Sequence, residues 1–277
     1  MYDARHTRVH RAHTVGMILV TGATGQVGGR VAARLTLPHA LLVRDAAKAP
    51  KTDKSVRAAE YADKSAMRAA LDGVETLFLV SGREDQHRLK AHRTAVDAAV
   101  EAGVERIVYL SFESAAPDCT FTFGRDHWHT EQHIRATGLR YTFLRDNMYQ
   151  EMIPRLAGAD GVIRGPAGNG RLAAVSYEDV ADAVIAVLTE EPDKSETYRL
   201  SGPEALTLAE AAERLGLRYE PETVEEAYAA RAHYGAPEFE VAGWVTSYQA
   251  IANGDLAEVT GDVERLTGHR ARSLKAN

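Results

Sequence analysis

Between residues 17 and 145 the chain alternates short, unbroken apolar runs with longer stretches whose apolar residues recur every three or four positions. The runs MILVT (17–21), ALLVR (40–44), TLFLV (76–80), RIVYLS (106–111) and RYTFLR (140–145) are continuous rather than alternating, as in strands covered on both faces; VRAAEY (56–61) is a weaker sixth. The segments between them, 26–36, 65–71, 86–102 and 125–137, have helical spacing. This order predicts a doubly wound α/β fold, a parallel sheet with helices on both faces. In AAVEAGVERIVYLS, Gly103 predicts a helix end with the next strand following at once.

After residue 150 the rhythm changes. VSYEDVADAVIAVL (175–188) predicts a turn into a helix, and LTLAEAAERLG (206–216) predicts another, with Thr207 as N-cap and Glu210 three residues on. An acidic stretch, YEPETVEEAYAARA, and a last helical piece near 260–267 follow. The expected organisation is a nucleotide-binding unit over 17–150 and a smaller C-terminal α/β lobe over 151–277, with the chain crossing back to the first unit. Residues 1–16 have no apolar stretch and are expected to be a disordered extension or the product of a start assigned too early.

The most informative stretch is MILVTGATGQVGGRVAARL, beginning at Met17. Gly22, Gly25 and Gly28 form G-x-x-G-x-x-G between a strand and a helix. The first suits a tight turn, the second close approach of backbone amides to a pyrophosphate, and the third close helix–strand packing. With the second strand in register, this predicts a Rossmann-like dinucleotide site. That strand ends in Arg44, sixteen residues after Gly28. A guanidinium there suits a 2′-phosphate and favours NADP(H). The neighbouring Asp45 leaves NAD open, since a carboxylate can accept a ribose hydroxyl.

Composition removes several other classes. The formal charge of −6 gives no pull toward nucleic acid or anionic lipid, and no run approaches the roughly twenty apolar residues of a membrane span. A single cysteine, Cys119, excludes an internal disulfide and fits a cytoplasmic location. The eleven histidines do not form a ligand set: HWH (127–129) and His133 are spaced so that they do not face one another on a helix, and no metal site is expected. There is no G-x-S-x-G of a serine hydrolase.

TGATGQVG, LVRD, VYLSFESA, HWHTEQHIRATGLRYTFLRDNMYQE, SYEDVADA and LTGHRARSL together resemble an NmrA-like atypical short-chain dehydrogenase/reductase of the NAD(P)H:quinone oxidoreductase type. The resemblance runs through nearly everything from Met17 onward. It implies an NADP(H)-binding Rossmann domain, a substrate cleft against the C-terminal lobe, and a phosphate loop of Gly22, Thr24, Gly25, Gln26, Val27 and Gly28, with Arg44 at the 2′-phosphate. It further implies Val80, Ser81 and Gly82 along the nicotinamide ribose, Ser111 beside the nicotinamide, Phe112 facing the cleft, and Asn147, Met148 and Tyr149 at the cleft floor. Ser111 also reads as a strand-end residue and Met148 as core.

One departure constrains the chemistry. The Tyr-x-x-x-Lys of active short-chain reductases corresponds here to Phe123-Gly-Arg-Asp-His127. Phenylalanine transfers no proton, which leaves His127, with Ser111 and Tyr149, as candidate catalytic groups. A histidine with an ordinary pKa could serve as an acid near neutrality. Reducing a ketone creates an alkoxide-like oxygen that needs an acid, whereas reducing a quinone creates a phenolate-like one. The sequence therefore points to an NADPH-dependent reductase of a quinone-like, polycyclic aromatic substrate, with reductive supply of a flavin-independent aromatic polyketide hydroxylation (monooxygenase) system as a specific form. The expected partners are the small aromatic substrate and a second copy or a partner enzyme, with neither nucleic acid nor membrane. A non-catalytic NADP(H)-sensing regulator is the alternative.

Overall fold

The computed structural model describes residues 16–190 and 194–275, so the leader expected over 1–16 lies outside the described residues apart from Gly16. The first half runs β1 (Met17–Val20), α1 (Gln26–Arg34), β2 (His39–Val43), β3 (Ser55–Ala58), α2 (Lys64–Ala70), β4 (Val74–Val80), α3 (Arg88–Glu101), β5 (Arg106–Phe112), α4 (Thr122–Ala136) and β6 (Arg140–Asp146). It continues with β7 (Val162–Gly165), β8 (Arg171–Leu172), α5 (Tyr177–Thr189), β9 (Glu196–Leu200), β10 (Leu206–Thr207) and α6 (Leu208–Arg214). The chain then closes with β11 (Arg218–Pro221), α7 (Val224–Arg231), α8 (Glu238–Ala252) and α9 (Asp262–Thr267).

Seven strands form one parallel sheet in the order β3-β2-β1-β4-β5-β6-β9. The chain leaves β3 at one edge and re-enters beside β1 through β4, so the order reverses there and a crevice opens at the carboxyl ends of those strands. One face is covered by α1, α5 and α9 through Val27, Val31, Val180, Val184 and Val263. The other is covered by α2, α3 and α4 through Met67, Val96, Ala99 and Ile134. The fold is thus a Rossmann-like parallel sheet, as the strand–helix alternation predicts. The weak strand is shorter than expected, ending at Ala58. Beyond it the chain turns inward, and the Tyr61 hydroxyl reaches Thr21 Oγ1 at 2.6 Å and the Val80 carbonyl at 2.9 Å.

The smaller C-terminal elements build a separate apolar cluster from Ile153, Ile163, Leu172, Leu208, Tyr248 and Ile251. Here β8 pairs with β10 antiparallel and β7 with β11 parallel. The periodic reading missed α8 because its buried residues, Val241, Gly243, Val245, Tyr248 and Ile251, do not form one stripe. The helix is enclosed on more than one side, by α7 and by α4. At Gly243 the approach to α4 is so close that a Cβ would stand 2.2 Å from the Phe123 ring. On the opposite side of the sheet, Asp179 and Asp182 of α5 ion-pair with Arg272, and His269 reaches Asp182 at 3.1 Å; this pins the C-terminal segment to α5.

The helix starts follow local chemistry. Ser176 caps α5, and Thr207 and Glu210 form the expected reciprocal capping box on α6. Thr207→Ala removes one of those bonds, and urea unfolding is expected to show a loss of about 1 kcal/mol. NADPH affinity should not change, because this cap lies far from the cradle described next.

Candidate active site

The cradle follows β1 directly. Gly22 takes a left-handed φ of 62°, and a side chain there would also press on Val80 at 3.0–3.2 Å. A Cβ on Gly28 would lie 2.3 Å from the Gly22 carbonyl oxygen, so only glycine lets α1 pack this closely on the loop. The N-cap of α1 is Gly25, with no side-chain cap and no acidic residue in the first turn. The first amides of the helix are therefore left for an outside acceptor, and the helix dipole favours an anion there. A pyrophosphate fits this cradle in charge and in size.

The cleft in front of it has a volume of about 540 Å³. Gly22, Thr24, Gly25, Gln26, Val27, Gly28, Arg44, Val80, Ser81, Gly82 and Tyr149 all line it. The sequence reading missed Tyr61, Arg88 and Tyr177, which line it too. Arg44 is exposed at the end of β2, while the Asp45 carboxylate accepts the Ala47 amide at 3.0 Å and caps a short helical turn. One oxygen of the group that kept NAD open is used locally and Asp45 does not line the cleft, whereas Arg44 does.

A buried polar seam stands behind the cleft. The inward face of α3 carries Arg88, His92, Ala95, Val96 and Ala99, and that of α4 carries Phe123, His127, Thr130, Glu131 and Ile134. Both sets keep the helical spacing of a core stripe, with polar groups at the end near the cleft. The Gly82 amide donates to His92 Nε2 at 2.7 Å, so the proton of His92 sits on Nδ1 and is donated to Thr130 Oγ1 at 2.9 Å. The Thr130 hydroxyl in turn donates to the Asp126 carbonyl at 2.7 Å. In parallel, Arg88 Nη2 donates to His127 Nε2 at 2.8 Å, and His127 Nδ1 donates to the Tyr109 hydroxyl at 3.0 Å. Burial, with Arg88 nearby, pushes His92 down to about 3 and holds His127 well below its usual range.

These placements revise several expectations. His127 is buried, does not line the cleft and is neutral, so it is not the histidine titrating near neutrality that the sequence suggested. Ser111 is fully buried, and its hydroxyl donates to Glu131 at 2.7 Å; the same carboxylate takes a forked pair of bonds from Arg145. Asn147 is buried with its amide on the Leu256 carbonyl at 3.0 Å, which ties the end of β6 to the C-terminal segment instead of facing the cleft. Phe112 and Met148 pack against the C-terminal apolar cluster. Phe112 also stands 5.0 Å from the Phe121 ring and 6.0 Å from His127. Phe123 is buried against α8, which explains an apolar residue there. Tyr149 does line the cleft, its ring centre 4.3 Å from that of Tyr177 and tilted by 39°, but its hydroxyl donates to Asp146. Burial pushes that carboxyl up to about 8, the Tyr149 bond opposing the shift, and pushes the Tyr149 hydroxyl well above its ordinary value. One signal was available for Arg88: polar residues at 88 and 92 on an otherwise apolar helical stripe.

An NAD(P)H-binding family model matches residues 22–191. Quinone oxidoreductase 2 of Escherichia coli (strain K12) is 33% identical, with 93% of this chain and 96% of the relative covered. The crystal structure of that NADPH-dependent enzyme with NADPH superposes with a TM-score of 0.85 at 32% identity, covering 93% of this chain and 97% of that one. The triphenylmethane reductase of Citrobacter sp. complexed with NADP(H) superposes with a TM-score of 0.80 at 30% identity, covering 91% and 96%. The chain belongs to the NmrA-like, NAD(P)H-binding Rossmann-fold oxidoreductases, close to those of the quinone oxidoreductase 2 type. It is an NAD(P)H-dependent oxidoreductase, and its cofactor is NADPH/NADP. Among the described residues no helix is long and apolar enough to cross a membrane.

The bound cofactor supplies a hydride. Gly22–Gly28 would hold its pyrophosphate and Arg44 would meet a 2′-phosphate, while His92 fixes the Gly82 backbone. If Arg44 clamps the 2′-phosphate, Arg44→Ala weakens NADPH roughly tenfold to a hundredfold, the scale of a hydrogen bond to a charged group. NADH affinity stays nearly constant, as titration by fluorescence would show.

The buried titratable groups also set a pH dependence. Unfolded, each histidine gains a proton near pH 6.5, and neither His92 nor His127 does so in the fold. Each therefore lowers stability as pH falls below that point, by about 1.4 kcal/mol per unit. Asp146 acts oppositely: it holds a proton up to about pH 8 when folded but only to about 3.8 unfolded, so its contribution improves as pH falls through that window. Two histidine protons against that of Asp146 leave a net fall below pH 6.5, lessened by Glu84 and Asp126, whose carboxyls burial also pushes up. Urea unfolding between about pH 5 and 6.5 measures this slope, and His127→Gln is expected to remove about one proton of it.

Proposed function

We propose that the chain reduces quinone-like, polycyclic aromatic substrates by hydride transfer from NADPH, with no side chain acting as the usual proton donor. The state of the seam carries this reading. Phe123 stands where a catalytic tyrosine is expected, and His127 is neutral with Nε2 already accepting from Arg88. Tyr149, the cleft-facing phenol, has its proton committed to Asp146. A ketone reductase lacking a donor leaves an alkoxide-like oxygen uncompensated. A quinone leaves a phenolate-like oxygen, stabilised by the new aromatic ring, which can take its proton from water. Placement of the two reactants then supplies most of the rate. The names of the relatives, a quinone oxidoreductase and a reductase of triphenylmethane dyes, agree with an aromatic acceptor.

A more specific form of the proposal is that the hydroquinone reacts onward with dioxygen, so that the enzyme serves as reductase in an aromatic polyketide hydroxylation with or without a partner protein. Anaerobic NADPH oxidation with naphthoquinone and phenanthrenequinone, against acetophenone as a simple ketone, tests the core reading. Turnover is expected with the quinones and none with the ketone; equal rates with the ketone would sink it. Tight NADPH binding without turnover of any acceptor would make the protein a sensor. Admitting air and looking by mass spectrometry for an added hydroxyl tests the oxygen-dependent form.

A further inference from the structure

Arg88 is unusual among the charged groups of the fold. Its side chain is 3% exposed, yet it borders the cleft. Nη2 is used on His127, but Nε and Nη1 have no hydrogen-bond partner. Asp126 Oδ2 stands 3.9 Å from Nη1, outside hydrogen-bond range. Asp126 offsets part of the charge at that distance, but a buried guanidinium with two nitrogens lacking hydrogen bonds remains costly. Among the described residues nothing completes its hydrogen bonding, and such a group calls for a partner.

The location points to what that partner is. The cofactor's pyrophosphate belongs at the loop after β1, and its 2′-phosphate at Arg44 after β2. Arg88 begins α3, after β4, and reaches across to α4, after β5. It therefore lies on the other side of the sheet's switch point from Arg44. There the cleft is lined by Ser81, Gly82, Asp85, His87 and Ala91, with His127 behind Arg88. A ring seated in that half of the cleft would bring an oxygen substituent toward the Arg88 guanidinium.

We propose that Arg88 faces the carbonyl oxygen of the aromatic substrate and holds the negative charge that develops on it during reduction, in place of the missing acid. This rests on the quinone reading above and names the group that makes it work. The balance is quinone plus NADPH plus one proton giving hydroquinone plus NADP+. The transferred hydride brings two electrons and one hydrogen, so one ring oxygen is left anionic at Arg88 until water supplies the second proton. A fixed positive charge in a water-poor site stabilises such an oxyanion without giving up a proton. Its neutral neighbours serve the same end: His127 accepts from Nη2 and holds the guanidinium in place without adding a competing charge.

The test pairs binding with turnover. With NADP+ bound, the wild type is titrated with the anionic hydroxynaphthoquinone lawsone and with neutral naphthoquinone. Arg88→Gln, which keeps a donor for His127, is compared with Arg88→Lys, which keeps the charge; near-ultraviolet circular dichroism and NADPH affinity check that both variants are folded. The expected result is that Arg88→Gln loses roughly tenfold to a hundredfold in lawsone affinity and a similar factor in kcat, the range for removing one oxyanion donor. Naphthoquinone and NADPH binding should change less than threefold, and Arg88→Lys should recover part of both losses. Equal weakening of lawsone and naphthoquinone would make Arg88 a structural support. A loss confined to NADPH would place it on a cofactor phosphate. Unchanged lawsone binding and kcat would also overturn the proposal. Wild-type enzyme that turns over no quinone defeats the quinone reading instead, and the proposal with it. If both variants misfold, lawsone is titrated into wild type at rising pH, where an affinity that never exceeds that of naphthoquinone overturns the assignment and a clear preference for the anion supports it.

Discussion

Two helices meet beside the cofactor cleft across a seam that is polar where a core is ordinarily apolar. Arg88 and His92 of α3 face His127 and Thr130 of α4, and every one of them is buried. Polar groups survive there only when paired, and the pairing is directional. Gly82 donates to His92, His92 to Thr130, Arg88 to His127 and His127 to Tyr109. These bonds settle which nitrogen of each imidazole carries its proton, and they tie the backbone at the end of β4 to two helices at once. The rim of the cleft on that side is positioned by this network.

The same network explains the electrostatic character of the site. Two histidines are kept neutral by burial and by the adjacent guanidinium, so the positive charge is concentrated on Arg88. On the other side of the switch point Arg44 supplies an exposed positive charge, with Asp45 taken up by its own turn. The cleft thus has a cation at each half and a helix N-terminus between them. This suits a dinucleotide phosphate at the Arg44 end and the proposed substrate oxygen at the Arg88 end. Deeper still, Glu131 binds Arg145 and Ser111, locking α4 onto β5 and β6 through a buried ion pair held at both oxygens.

The sequence determined the strand–helix alternation, the glycine cradle and the capped starts of α5 and α6, because each depends on local chemistry. Continuous apolar runs need cover on both faces, Gly28 is compelled by a carbonyl 2.3 Å from any Cβ, and Thr207 with Glu210 is a contact within one turn. Only the tertiary structure decided what the polar residues do. His127, Ser111 and Asn147 all read as site residues from their neighbours in the chain, yet each side chain is committed to a partner at least 18 residues away. Arg88 is the converse, an unremarkable charge in the chain that folding buries beside the cleft with two nitrogens unused. Burial and partnership are set by which helices the sheet brings together, and residue type and spacing along the chain do not encode that.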